Sequence, residues 1–320
     1  MWHLFRLLRS QANTTLGIDI STTSVKLIEL SCVGEHYRVE NYGRHIALDH
    51  TIQDGDANPV DVMSQCLREL LKNTVLSHKE AVLSIPDSYT ISKTIQVSDR
   101  LEDDDLEELV LIEVDKHIPH PINEINFDFK VLGPSVGQVG MRDVLIVACR
   151  AEHINDRVDA LRLVGLRTKC VDIESHAIQR ALRCMVPKGN EKTIVLLDVD
   201  DARIKMFVFH EMDIIFVHGD FLKSHHEPLL QFKMQLLSHV KRALQFFYSS
   251  HPLIIIDDIL LAGSVAKPFD LAEFLQTELR ISTCVANPLA TMLFAKHVPR
   301  DVVVSDAPML MTVCGLAIRA

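Results

Sequence analysis

Two stretches of the chain repeat one another, and that repetition limits the fold more than any other feature of the sequence. The first reads Leu16-Gly17-Ile18-Asp19-Ile20-Ser21-Thr22-Thr23-Ser24-Val25-Lys26-Leu27-Ile28, and the second Val195-Leu196-Leu197-Asp198-Val199-Asp200-Asp201-Ala202-Arg203-Ile204-Lys205-Met206-Phe207. Asp19 recurs as Asp198 and Lys26 as Lys205; 198 minus 19 and 205 minus 26 both give 179. Each copy reads as an apolar strand, an Asp, a short polar turn, and a Lys opening a second apolar strand. Two such hairpins far apart predict two related lobes facing each other across a cleft suited to a nucleotide.

The chain has 320 residues, enough for two domains with their own cores. Its formal charge of −10 argues against a general nucleic-acid binder, which would present a basic face. Cys32, Cys66, Cys149, Cys170, Cys184, Cys284 and Cys314 form no Cys-x-x-Cys pair. They read as buried thiols of a reducing compartment. No apolar run reaches the roughly 18 residues of a spanning helix, and no small-residue cleavage site follows Met1 to Ser10. That first segment sets Trp2, Phe5 and Leu8 among Arg6 and Arg9. It reads as a frayed terminus or a short packed helix, with contact to a membrane surface as the other reading.

Pattern along the chain sets the expected organisation. The first hairpin continues through Tyr37–Tyr42, and Asn58-Pro59 opens a helix with Val60, Met63, Leu67 and Leu70 on one face. Ala81–Ile85 is a strand. From about Ser88 to Asp172 the order is strand, helix, strand, strand, helix, strand. Asp99 with Glu102 is expected to form a capping box at the first of those helices. That helix carries an acidic run, read as a solvated face, with a partner-binding patch as the alternative. A helix from Glu174 returns the chain to the first lobe. The second lobe is expected to hold three strands from Thr193 to His218, the helix Pro228–Tyr248, the strand Ile254–Ala262, the helix Pro268–Arg280, and a closing helix Asp306–Arg319. The expected divisions are a tail over 1–15, a first lobe over 16–87 and 173–190, an inserted α+β unit over 88–172, and a second lobe over 191–320.

This order resembles that of the actin-like ATPases, and within them the PilM family of type IV pilus assembly; cell-division FtsA is similar but more distant. The residues carrying the resemblance are the first hairpin, Lys93-Thr94-Ile95-Gln96, Ile118-Pro119-His120-Pro121, Phe127-Asp128-Phe129-Lys130-Val131-Leu132-Gly133-Pro134 and Val171-Asp172-Ile173-Glu174. Arg242 to Ser250, Ala286-Asn287-Pro288-Leu289-Ala290 and Asp306-Ala307-Pro308 complete the set. It implies an α/β, actin-like fold of two ribonuclease H-like lobes with a small α+β insert in the first. It also implies a cytoplasmic docking protein, peripheral to the inner membrane, that holds the N-terminal tail of PilN and so meets the PilN/PilO complex. Contacts with the pilus motor ATPases, and a ring or other homo-oligomer, belong to the same expectation. The tail groove is expected between the first lobe and the insert, on Ile85, Pro86, Ile118, Pro119, Pro121, Ile122 and Phe127. Read from its residues alone, the Pro-bracketed segment Ile118–Ile122 is either such a groove wall or a helix stop packed under the insert.

The resemblance also implies an ATP–magnesium site. Its residues would be Asp19, Ser21, Thr22, Thr23, Ser24 and Lys26, with Asp198, Asp200, Gly263 and Ser264. The two phosphate turns of relatives read Asp-Ile-Gly and the third turn Gly-Gly. Here all three lose a glycine, to Ser21, Asp200 and Ser264, and the second gains the carboxylates of Asp200 and Asp201. One like-charge pair ~4 Å apart costs roughly 4 kcal/mol at an effective dielectric of about 20. Asp220 to Pro228 is also shorter than the helix-bearing insertion of relatives. The expectation is therefore a weakened or lost site and no enzyme activity. The competing reading is an active actin-like ATPase whose nucleotide state gates assembly or polymerisation. A metal-dependent nuclease on Asp19, Asp198 and Asp200 would need a basic substrate face. His117, His120, His225, His226, Asp257 and Asp258 lack zinc-type spacing, and no metal site is expected.

Overall fold

The computed structural model describes residues 14–21, 23–46, 58–72, 74–135, 137–187, 189–200, 202–222, 228–267 and 270–319. The repeated stretches form the same object twice. Thr14–Ile20 (β1) and Ser24–Val33 (β2) pair antiparallel with Asp19 opposite Lys26. Thr193–Val199 (β9) and Arg203–His210 (β10) pair the same way with Asp198 opposite Lys205.

Each hairpin seeds a sheet of one topology. Beside β2 lies His36–Ile46 (β3). On the other side of β1, Glu80–Ile85 (β4) and Arg167–Ile173 (β8) follow in parallel. The second sheet repeats this order with Asp213–Phe221 (β11) beside β10, then Asp258–Ala262 (β12) and Ser282–Val285 (β13) beyond β9. The short strand Leu293–Phe294 (β14) adds to the outer edge of β3 and makes the first sheet six-stranded. A third sheet, of Thr90–Ser98 (β5), Ile125–Pro134 (β6) and Met141–Arg150 (β7), has the order β5-β7-β6.

Helices fill the layers by their apolar stripes. Pro59–Leu71 (α1) starts where Asn58 Oδ1 accepts the Val60 N–H at 2.9 Å. It and Ala151–Leu163 (α3) cover the outer face of the first sheet, with Met63, Leu67 and Leu161 in one core. Leu229–Ser250 (α5) and Leu271–Leu279 (α6) cover the second sheet, and Leu236, Leu237, Val240, Leu244 and Phe247 are all buried there. Glu174–Met185 (α4) and Met311–Ala317 (α8) lie between the two sheets. Ile178, Leu182 and Val313 share a core with Ile28 of one sheet and Leu196 of the other. Asp103–His117 (α2) packs Leu106, Val110 and Val114 on the third sheet.

Several expectations are corrected. The sheets divide the chain differently from the expected boundaries. β8 pairs with β4, and α3 joins the first core, so the stretch 151–172 belongs to the first lobe and the insert is the three-stranded unit 90–150. The C-terminal part of 191–320 returns to the first lobe through β14 and α8. β1 begins at Thr14, inside the expected tail, while residues 1–13, with Trp2, Phe5 and Leu8, lie outside the described residues. No capping box forms on Asp99. Glu102 itself is the N-cap of α2, without a side-chain cap bond, and the Asp99 N–H donates to Gly140 O at 3.0 Å. β12 starts at Asp258, because Asp257 instead bonds the Thr193 backbone through both its N–H and its carboxylate. Pro268 lies outside the described residues, and α6 starts at Leu271. The closing helix is broken into Arg300–Asp306 (α7), a 3-10 turn over Ala307–Leu310 and α8, since Pro308 cannot donate inside a continuous helix. All seven cysteines are free, but Cys32 and Cys284 are exposed rather than buried.

The contact of α8 with α4 depends on a missing side chain. A Cβ on Gly315 would lie 1.7 Å from Ala177 O and 2.3 Å from its carbonyl carbon. Backbone cannot yield as a flexible side chain does, so Gly315→Ala is expected to destabilise the chain by about 3 kcal/mol or more. Urea unfolding of the two proteins measures it, and equal midpoints would contradict this packing.

Candidate functional site

The ends of β1 and β9 bring Asp19 and Asp198 into one interlobe cavity of about 60 Å³, lined also by Ser21, Glu174, Asp200 and Lys205. Thr22 and Asp201 lie outside the described residues. Thr23, Ser24, Lys26, Gly263 and Ser264 stand around this cavity's walls without lining it.

The cavity's charges are paired within the protein. Asp19 Oδ1 accepts from Ser84 Oγ at 2.7 Å, and Asp19 Oδ2 from Lys26 Nζ at 3.3 Å. Lys205 does not repeat that pairing. It crosses to the first residue of α4, and its Nζ lies 2.6 and 2.7 Å from the two Glu174 carboxylate oxygens. Burial pushes the Glu174 carboxyl up, and Lys205 opposes that shift. Burial would lower both lysines, but the facing carboxylates outweigh it, Asp19 chiefly for Lys26 and Glu174 for Lys205. Asp198 is pushed up to about 7 by burial and then by Asp200, with Lys205 and Lys26 acting against the shift.

The turns close on themselves as well. In the first, the Ser24 N–H donates to Ser21 Oγ at 3.1 Å and the Ser21 N–H to Ser24 O at 2.9 Å. In the third, the Ser264 N–H donates to Asp200 Oδ1 at 3.1 Å, so the second turn caps the third. Gly263 holds φ at +93°, and a Cβ there would lie 2.7 Å from Asp198 Oδ1 and 2.3 Å from Val199 O. Its N–H donates to Pro308 O at 3.0 Å. An anion nest needs free backbone N–H groups, and these four have internal acceptors.

Sequence reasoning missed several cavity residues. Glu174 stood in a quoted string with nothing to mark its partner, which comes from the other lobe. Arg157 of α3 gave no signal; it is buried, its Nη1 donates to His153 O at 2.7 Å, and its guanidinium sits 5.5 Å from the Tyr89 ring. Pro86, expected in the peptide groove, lines this cavity instead.

The second concavity is a groove of about 270 Å³ between the first lobe and the insert. Ile85 and Ile173 at the ends of β4 and β8 form one wall. Phe127 and Phe129 of β6, with Leu145 and Val147 of β7, form the other. Lys130 and Arg319 add positive charge, burial lowers the His176 pKa and keeps that ring neutral, and Asp172 is held by Arg180 and by Arg319, the latter at 3.0 Å. Of the expected groove residues only Ile85 and Phe127 line it. Ile118 is buried in the insert core, where its N–H caps α2 on Val114 O at 2.9 Å. Ile118 gains more by packing under its own sheet than by lining an open wall, while Pro119, Pro121 and Ile122 are exposed and do not line the groove.

Among the described residues no group of three or more His, Cys, Asp or Glu side chains is placed to hold a metal ion. His225 and His226 lie outside them. His117 sits 3.2 Å from Glu113, and Asp258 takes Lys192 Nζ at 2.7 Å while Asp257 serves Thr193.

The family model of the type IV pilus assembly protein PilM matches residues 17–222 and 217–320. The chain belongs to the PilM family. A solved structure described as a PilM–PilN type IV pilus biogenesis complex matches this PilM-family chain at 21% identity and a TM-score of 0.79, covering 95% of this chain and 98% of that one. The ethanolamine utilization protein EutJ of Carboxydothermus hydrogenoformans matches at 12% identity and a TM-score of 0.53, covering 96% and 90%. These likenesses agree with the doubled sheet topology: the fold is actin-like, two related lobes with an insert in the first.

Asp198 sets a pH test. Its proton is held more tightly in the folded than in the unfolded chain, so its contribution to stability is present below the ordinary carboxylate range and lost as pH rises through about 7. Asp198→Asn keeps the shape without the charge. It is expected to gain roughly 2 kcal/mol relative to the wild type between pH 5 and pH 8. Denaturant unfolding at both pH values checks this, and an unchanged difference would contradict it.

Proposed function

We propose that this PilM-family chain is a non-enzymatic docking protein of type IV pilus assembly, which holds the N-terminal cytoplasmic tail of PilN in the groove between its first lobe and its insert. The observation that carries this reading is the contrast between the two concavities. The groove is open and largely apolar, with Lys130 at hand for a polar or acidic group of a peptide. The interlobe cavity is small and filled by the protein's own pairs. Ligand pockets usually run from about 300 to 1,000 Å³, so a cavity of about 60 Å³ does not fit a nucleoside triphosphate without opening. The charges lining it are mixed, Asp19, Asp198, Asp200 and Glu174 with Arg157, Arg203 and Lys205, and its one lysine is already taken by Glu174. The actin-type nucleotide site is then a reduced one. No helix among the described residues is long and apolar enough to cross a membrane, and association with the inner membrane would come through the partner. PilO and the motor ATPases would be met through the same assembly.

A synthetic PilN tail is expected to bind the full chain without nucleotide, with a dissociation constant below about 1 mM. Phe127→Asp, placing a charge in the apolar wall, is expected to weaken it about tenfold or more. Calorimetry with both proteins checks this, and no binding to the wild type would remove the proposal's support.

The rival, an active ATPase, is favoured by one observation, the retained Asp–Lys register in both hairpins. Titration of ATP with magnesium separates the two, and micromolar binding would overturn the reduced-site reading. The double variant Ser21→Gly with Asp200→Gly is expected to raise ATP affinity about tenfold or more if the lost glycines and the carboxylate cause the deficit.

A further inference from the structure

The free edges of the three sheets are not alike. β6 carries a bulge between Val131 and Gly133 and ends on Pro134. The β10–β11 and β4–β8 ladders are also interrupted by register shifts. β13 spans four residues and β14 two. β5 has none of these devices. It runs nine residues in unbroken register, from Thr90 opposite Cys149 to Ser98 opposite Met141, with no proline and Lys93 as its one charged side chain. Natural sheets blunt long edges because a row of unpaired N–H and C=O groups templates another strand. β5 keeps that row with Lys93 as its one such guard.

The edge is also flanked by a binding surface. Lys93, Thr94, Ile95, Gln96 and Val97 share a hollow of about 480 Å³ with Leu109 and Glu113 of α2 and Asp143 of β7. Successive side chains of a strand point to opposite faces, so consecutive residues line one hollow only where it runs along the strand's edge. α2 lies against the same strand, since Ile95 and Val97 share a core with Leu106, Val110 and Val114. Its outer surface exposes Asp103, Asp104, Asp105, Glu107, Glu108 and Asp115. Lys93 is the cation that lines the hollow, and Glu113 there is taken by Lys116 at 2.8 Å, so the acidic charge comes from the rest of α2.

We propose that the free edge of β5 is a second docking site, for an extended lysine- or arginine-rich segment of a partner protein that adds a strand beside the acidic helix α2. Main-chain bonds to β5 supply affinity, and charge across the hollow supplies selectivity. The site lies on the opposite edge of the insert sheet from Phe127; of β5 only Thr90 also lines the groove, and the hollow from Lys93 to Val97 shares no residue with it.

The probe is an end-blocked peptide as long as β5, nine residues, alternating lysine and valine. Its control carries glutamate for every lysine. Titrated into the full chain, the lysine peptide is expected to bind about tenfold or more tighter than the glutamate peptide, and to weaken severalfold between about 0.05 and 0.3 M salt. Hydrogen exchange is expected to slow in residues 90–98. A proline at the peptide's centre, which removes a ladder donor, is expected to weaken binding about tenfold. The surface variant Glu107→Lys with Glu108→Lys is expected to weaken it about fivefold with an unchanged circular dichroism spectrum. Equal affinity for the two charged peptides overturns the proposal. So does protection that falls outside β5, or self-association of the chain that covers this edge without peptide.

Discussion

The bond between Lys205 and Glu174 ties the two lobes across the cavity between them. Both groups are largely out of water, and neither charge could stay there alone. Removing a buried charge's partner costs several kcal/mol, while the pair itself is close to neutral in stability. Its value lies in geometry. A lysine on β10 finds its acceptor at the head of α4, and α4 is one of the two helices lying between the sheets. The distance between lobes is therefore set by side chains of the chain itself.

The two hairpins began as equals in sequence and end as unequals in space. Lys26 stays with Asp19, its own cross-strand partner, and Ser84 satisfies the other oxygen of that carboxylate. Lys205 leaves Asp198, its counterpart, for Glu174. Asp198 is left among carboxylates and keeps its proton to a higher pH. Asp200 turns to cap the Ser264 N–H. Each feature is small, and together they leave these groups facing one another across the cavity.

Much of this was legible in the sequence, and the parts that were not have a common cause. Local pattern gave the hairpins, the N-cap at Asn58 and the apolar stripe of α5, because each depends on residues a few positions apart. The pairing of β8 with β4, the addition of β14 to β3 and the seat of α8 between the sheets depend on partners far along the chain. No periodicity reports them. The site followed the same division. Asp19 and Asp198 could be read from the repeat, while Glu174 and Arg157 acquire meaning only from the neighbours the fold brings to them. Ile118 failed for a different reason: an apolar residue between helix and proline serves equally well as a wall or as a plug, and here the insert core claimed it.

The seat of α8 bears on how the molecule is made. A Cβ on Gly17, in β1, would lie 2.5 Å from Val313 O, so the earliest described strand is closed over by nearly the last described helix. The face of β1 that α8 covers therefore stays open to water until residues 311–317 have folded back onto it. Contacts of such long sequence separation slow folding, and an apolar surface left open meanwhile invites a chaperone.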